Sequence, residues 1–72
     1  MKVGDVIING YASIENPSRK TIITDIGGKY IKAMYFYKGK VNFANYYKSD
    51  LIKNEKFKII EDDRILKILK EI

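Results

Sequence analysis

Apolar and polar positions alternate along most of this chain, and the period changes only near its end. The run Val3-Gly4-Asp5-Val6-Ile7-Ile8 is rich in β-branched residues and closes at Asn9-Gly10, a pair that tolerates positive φ. A first strand is predicted there. From Tyr11 to Lys20 the chain turns polar, and Pro17 disfavours helix at Asn16, so this stretch reads as a loop. Thr21 to Ile26 is β-branched apart from Asp25 and ends at Gly27-Gly28, which predicts a second strand and a turn.

Between Tyr30 and Lys38 the odd positions Ile31, Ala33, Tyr35 and Tyr37 face one way, while Tyr30, Lys32, Met34, Phe36 and Lys38 face the other. Both faces carry aromatics, so this third strand is expected to be covered in part on each side. Lys38-Gly39-Lys40 reads as a hairpin turn, with glycine supplying the left-handed conformation, and Val41 to Tyr47 returns antiparallel. Ser49-Asp50 is a suitable start for one helical turn over Leu51-Ile52, ended by Asn54, and Phe57 to Ile60 gives a fifth strand. Val6, Ile8, Ile22, Ile31, Ala33, Val41, Phe57 and Ile59 are the expected core.

In the tail the apolar residues Ile65, Leu66, Ile68, Leu69 and Ile72 fall on one stripe of a 3.6-residue period, after Asp62 and Asp63, whose charges suit a helix N-terminus. A helix over 62–71 is predicted. At about ten residues it is too short to persist alone in water, so its stripe docks across an open end of the same domain or pairs with a second copy as a homodimer.

Seventy-two residues allow one domain, expected over 1–72 as a β unit over 1–60 followed by the helical segment 61–72. There is no cysteine and no histidine, so the chain has neither disulfides nor the usual structural zinc ligands. The longest uncharged run, Val6 to Ile14, is far short of the roughly 20 apolar residues a membrane span needs. Asp5 also interrupts the position where a signal peptide would be apolar. The expectation is a cytoplasmic protein without membrane attachment. Isoleucine, lysine, asparagine and tyrosine make up half the chain, a bias that AT-rich codons produce, as in a low-GC bacterium or one of its phages.

The whole excess of positive charge is central. Residues 29–58 hold eight lysines against Asp50 and Glu55, while the flanking segments are close to neutral.

Five short strands, a long polar loop after the first and a one-turn helix before the last resemble the SH3-like small barrels, including KOW-type and Tudor-type domains. The resemblance covers roughly 3–60. It rests on Val3-Gly4-Asp5-Val6-Ile7, on Thr21 to Ile26 before Gly27-Gly28, on the hairpin at Gly39, and on Tyr47-Lys48-Ser49-Asp50-Leu51-Ile52 before Phe57 to Ile60. It implies a mostly β fold, a five-stranded antiparallel SH3-like barrel with a short C-terminal α-helix. Peptide-binding members dock polyproline on an aromatic groove that usually includes tryptophan, and this chain has none.

Common nucleophilic catalysis needs a base beside Ser, Cys or Thr, and the usual base, histidine, is missing. Asp62-Asp63 is explained by helix capping, and Gly27-Gly28 lacks the flanks of a phosphate loop. No catalytic residue, metal ligand or cofactor is assigned. What stands out is the mixture of lysines and aromatics over 29–48. Lys29, Lys32, Tyr35, Tyr37, Lys38, Lys40, Tyr46 and Lys48 are the expected binding residues. They suit a protein-interaction module with tyrosine anchors, such as a phage-encoded inhibitor or adaptor. Equally, lysines on phosphates and tyrosines stacked on bases would serve nucleic acid.

Overall fold

The computed structural model describes residues 1–61; the helix expected over 62–71, and any homodimer through it, lie outside the described residues. The strands are β1 (Val6–Asn9), β2 (Lys20–Ile26), β3 (Tyr30–Tyr37), β4 (Lys40–Tyr47) and β5 (Phe57–Ile60). A six-residue helix α1 (Lys48–Lys53) joins β4 to β5, and a single 3-10 turn, Pro17–Arg19, sits in the loop before β2. All pairings are antiparallel, in the order β4-β3-β2-β1-β5. The mostly β architecture is as expected. The sheet does not close on itself, because β4 and β5 remain its two edges.

One face carries the core: Ile7, Ile23, Ile31 and Ala33 are fully buried beneath Leu51 of α1, with Tyr46, Phe57 and Ile59 packed around them. Ile31, Ala33, Phe57 and Ile59 were expected there. Val6, Ile8, Ile22 and Val41 were expected too, but they stand on the opposite face, where Val41 is half exposed. In a strand a one-residue change of parity moves every side chain across the sheet. The run Val6-Ile7-Ile8 and the pair Ile22-Ile23 are apolar at consecutive positions, so the pattern left the parity open. Burial chose Ile7 and Ile23.

The hairpin turn has the predicted glycine, and Gly39 takes φ 74°. Its neighbour Lys38 also takes positive φ, 52°, the combination a two-residue turn of this hand requires. At Gly10 the requirement is proximity instead. Its amide donates to the Lys56 carbonyl at 2.7 Å, and a Cβ there would come within 2.5 Å of that oxygen. Ser49 and Asp50 do not start α1; the helix is entered from Tyr47 without a side-chain cap. The strand β1 also starts later than expected. Before it, Gly4 and Asp5 exchange backbone hydrogen bonds with Ile23 at 2.9 Å each, which holds the N-terminal segment against β2.

The polar loop is braced internally. Arg19 Nη1 donates to the Ala12 carbonyl at 2.7 Å, and Asn16 Oδ1 accepts from the amide and hydroxyl of Ser18. Tyr11 packs on Phe57 and accepts from Asn54 Nδ2 at 2.9 Å, joining the loop to the end of α1.

Candidate binding surface

The β3-β4 hairpin pairs without interruption from Tyr30 opposite Tyr47 to Tyr37 opposite Lys40. Residues directly opposite share a face. Ile31 with Tyr46, Ala33 with Ala44, and Tyr35 with Asn42 therefore point toward the core side. Tyr30 with Tyr47, Lys32 with Asn45, Met34 with Phe43, and Phe36 with Val41 point to the other side, here called the outer face.

This register separates the eight expected binding residues. Tyr46 is half-buried and meets Phe57 edge-on at 5.5 Å, so its ring serves the core. Tyr35 and Tyr37 lie on the core side beyond Ala33. With Ser13, Glu15, Asn16 and Pro17 of the loop they line an open cleft of about 410 Å³. Lys38 and Lys40 flank Gly39, and Lys38 Nζ is 5.3 Å from the Tyr37 ring centroid. Lys48 opens α1, and its amide donates to the Lys29 carbonyl at 2.9 Å. Of the eight, Lys32 alone lies in the middle of the outer face, with Nζ 4.5 Å from the ring centroid of Phe43. Lys29 stands at its border, 5.8 Å from the Tyr30 ring.

The outer face gathers aromatic and aliphatic residues outside those eight. Tyr30, Phe36, Val41, Phe43 and Tyr47 are each about half exposed, Phe36 the most at 62%. Tyr30 and Tyr47 touch, with ring centroids 5.0 Å apart. Beyond β3 the apolar surface continues: Met34 is followed across the sheet by Ile22, Val6 and Ile60, so that with Phe43 one apolar residue from every strand lies in a single row. The even positions of β3 carried this signal in the sequence, and the odd positions of β4 were its partners.

No protein family, characterised protein or solved structure matches this chain. The surface is therefore read from its own chemistry. Along the hairpin its middle is aromatic and aliphatic around Lys32, which Asp25 of β2 faces across the sheet; Lys29 stands at its border, with Lys38 and Lys40 at the hairpin turn and Lys48 at the start of α1. Among the described residues there is no group of three or more acidic, histidine or cysteine side chains placed to hold a metal ion. No helix among them is long and apolar enough to cross a membrane.

The most strongly held ionisable group lies elsewhere. Asp5 is fully buried and accepts from the Lys2 amide at 2.9 Å and from Lys2 Nζ at 3.0 Å. Burial pushes its carboxyl up, but the two hydrogen bonds and the charge of Lys2 outweigh this and hold it below the ordinary aspartate value. The pair closes the N-terminal turn over β2, which makes it structural.

Proposed function

We propose that this chain is a small non-catalytic protein-interaction module, an SH3-like barrel left open between β4 and β5, that binds through the outer face of its β3-β4 hairpin. The observation that carries this reading is the cluster of Tyr30, Phe36, Val41, Phe43 and Tyr47, half exposed on two paired strands. Large contiguous apolar patches on small proteins mark interaction sites. Protein interfaces combine an aromatic centre poor in charge with a polar rim, and this surface has that layout. The strand order and the one-turn helix before the last strand support the barrel reading. A cysteine-free chain with a low-GC residue bias suits a cytoplasmic, phage-encoded inhibitor or adaptor.

The test is affinity capture from cells that encode the protein, with and without nuclease, using the parent and Phe43→Ala. Retention of one protein by the parent after nuclease treatment, and its loss from the variant, is the expected result. Capture abolished by nuclease would overturn it.

A second reading, single-stranded nucleic acid on the same face, is favoured by the lysine nitrogens over Phe43 and Tyr30. Lysine beside stacking rings is the usual equipment for such strands. A nucleic-acid complex would lose about 10³–10⁵ in affinity between 50 and 200 mM salt if it made six or more phosphate contacts. Each phosphate-binding lysine removed should lower the salt slope by about one unit, so Lys38→Ala with Lys40→Ala should flatten it.

A further inference from the structure

The two edges of the sheet are built differently. β5 has four residues with Lys58 among them, the short, charged kind of edge that discourages pairing. β4 has eight residues, pairs with β3 in continuous register, and carries no charge and no proline from Val41 to Tyr47. An edge that is long, regular and uncharged is a template for another strand.

Its open hydrogen-bonding groups can be named. Lys48 donates its amide to the Lys29 carbonyl, one step beyond the pair Tyr30 and Tyr47. Hydrogen bonding alternates along an antiparallel pair, so the even residues Lys40, Asn42, Ala44 and Tyr46 turn their backbone groups toward β3. Val41, Phe43, Asn45 and Tyr47 turn theirs away. Among the described residues no strand pairs with β4 on that side.

Charge selects the occupant. Antiparallel self-pairing that matches Phe43 with Asn45 brings Lys40 beside Lys48 just past the strand at both ends, and matching Phe43 with Phe43 brings Lys38 beside Lys48; the registers that avoid this, Val41 with Phe43 or Phe43 with Tyr47, leave an overlap of only 40–44 or 43–47. Like charges directly opposite destabilise a pair. β5 of another copy offers only four residues. An extended segment with acidic residues at its ends would meet Lys38 and Lys40 at one end and Lys29 and Lys48 at the other, where Asp50 is the nearby acid.

We propose that β4 accepts, by strand addition, an extended segment of a partner protein, apolar at alternate positions beside Val41, Phe43 and Tyr47 and acidic at its ends. This rests on the protein-interaction reading and specifies how the partner is held: main-chain hydrogen bonds supply the attachment and alternate side chains the selectivity.

The experiment uses the full chain and a synthetic peptide, Asp-Val-Thr-Val-Thr-Val-Glu, with a version ending in lysines as control. Amide exchange is followed residue by residue. Binding of the acidic peptide should slow exchange tenfold or more at Val41, Phe43, Asn45 and Tyr47, with little change at Asn42, Ala44 and Tyr46. The lysine-ended peptide should bind at least tenfold more weakly. Asn45→Pro removes one outward donor and should abolish the protection; Asn45→Glu, which keeps the backbone donor and guards against misfolding of the proline variant, should weaken binding by placing a charge of the same sign as the peptide's ends on the edge. Failure of the peptide to bind at millimolar concentration, or binding without slowing at the four odd amides, overturns strand addition. So does slowing that grows with protein concentration and no peptide, because a second copy then occupies the edge. If strand addition fails while Phe43→Ala still loses the captured protein, the protein-interaction reading stands alone; if that capture also fails, both fall.

Discussion

Lys2 holds the buried carboxylate of Asp5 twice, once through its backbone N–H at 2.9 Å and once through Nζ at 3.0 Å. Because the folded-state pKa is depressed, this carboxylate stabilises the fold fully at pH values well above its unfolded value, about 3.9. The contribution fades as pH falls below that value and through the folded one. Asp5→Asn should therefore cost about 1–3 kcal/mol at neutral pH. Urea unfolding of parent and variant should converge as the pH is lowered from about 5 to about 2. A difference that persists unchanged into acid would contradict this account of Asp5.

Adjacent residues on β1 and β2 should respond very differently to truncation. Ile7→Ala and Ile23→Ala empty fully buried sites and should cost about 2–5 kcal/mol, enough to unfold most of so small a domain. Val6→Ala removes a half-buried side chain from the outer face and should cost about 1 kcal/mol. Thermal melts of the variants decide between this parity and the opposite one.

The reason the sequence left that parity unread is visible in the same residues. Strand positions, turn positions and the helix before β5 follow from β-branched runs, glycines and the return of polar residues, all local signals. Which of two consecutive isoleucines is buried depends on cross-strand partners: Ile7 lies between Thr21 and Ile59, and Ile23 opposite Ala33. In β3 the alternation was legible, because Ile31 and Ala33 are separated by Lys32. The basic and aromatic character of the hairpin was legible as well. The division of that character between two faces became clear only with the register of β3 on β4. That register takes Tyr46 into the core and brings Phe43 and Tyr47 out.

Lys38 occupies a left-handed conformation that costs a non-glycine residue roughly 1–2 kcal/mol. Lys38→Gly should recover about 1 kcal/mol of that strain, less the added freedom of the unfolded chain, and Lys38→Asn a smaller amount. Denaturant midpoints should rise in both variants, with an unchanged slope. A fall in midpoint would mean that the lysine side chain makes a compensating contact.

Thr21 is fully buried, and its hydroxyl finds no hydrogen-bond partner among the described residues. An unsatisfied buried hydroxyl is a net cost, and valine has the same shape without it. Thr21→Val should raise stability by about 1 kcal/mol in equilibrium unfolding.

Binding of protein through the aromatic middle of the outer face is checked by measuring the affinity of the captured partner at 50 and 200 mM salt, for the parent and for Phe43→Ala. Truncating an anchor at the centre of an interface costs 2 kcal/mol or more, about thirtyfold in Kd. The expected result is a loss of at least that size in the variant, unchanged folding, and a salt effect on the parent below about tenfold, far less than a phosphate-bound complex shows. An affinity that Phe43→Ala leaves intact, or one that collapses with salt as a nucleic-acid complex does, would contradict it.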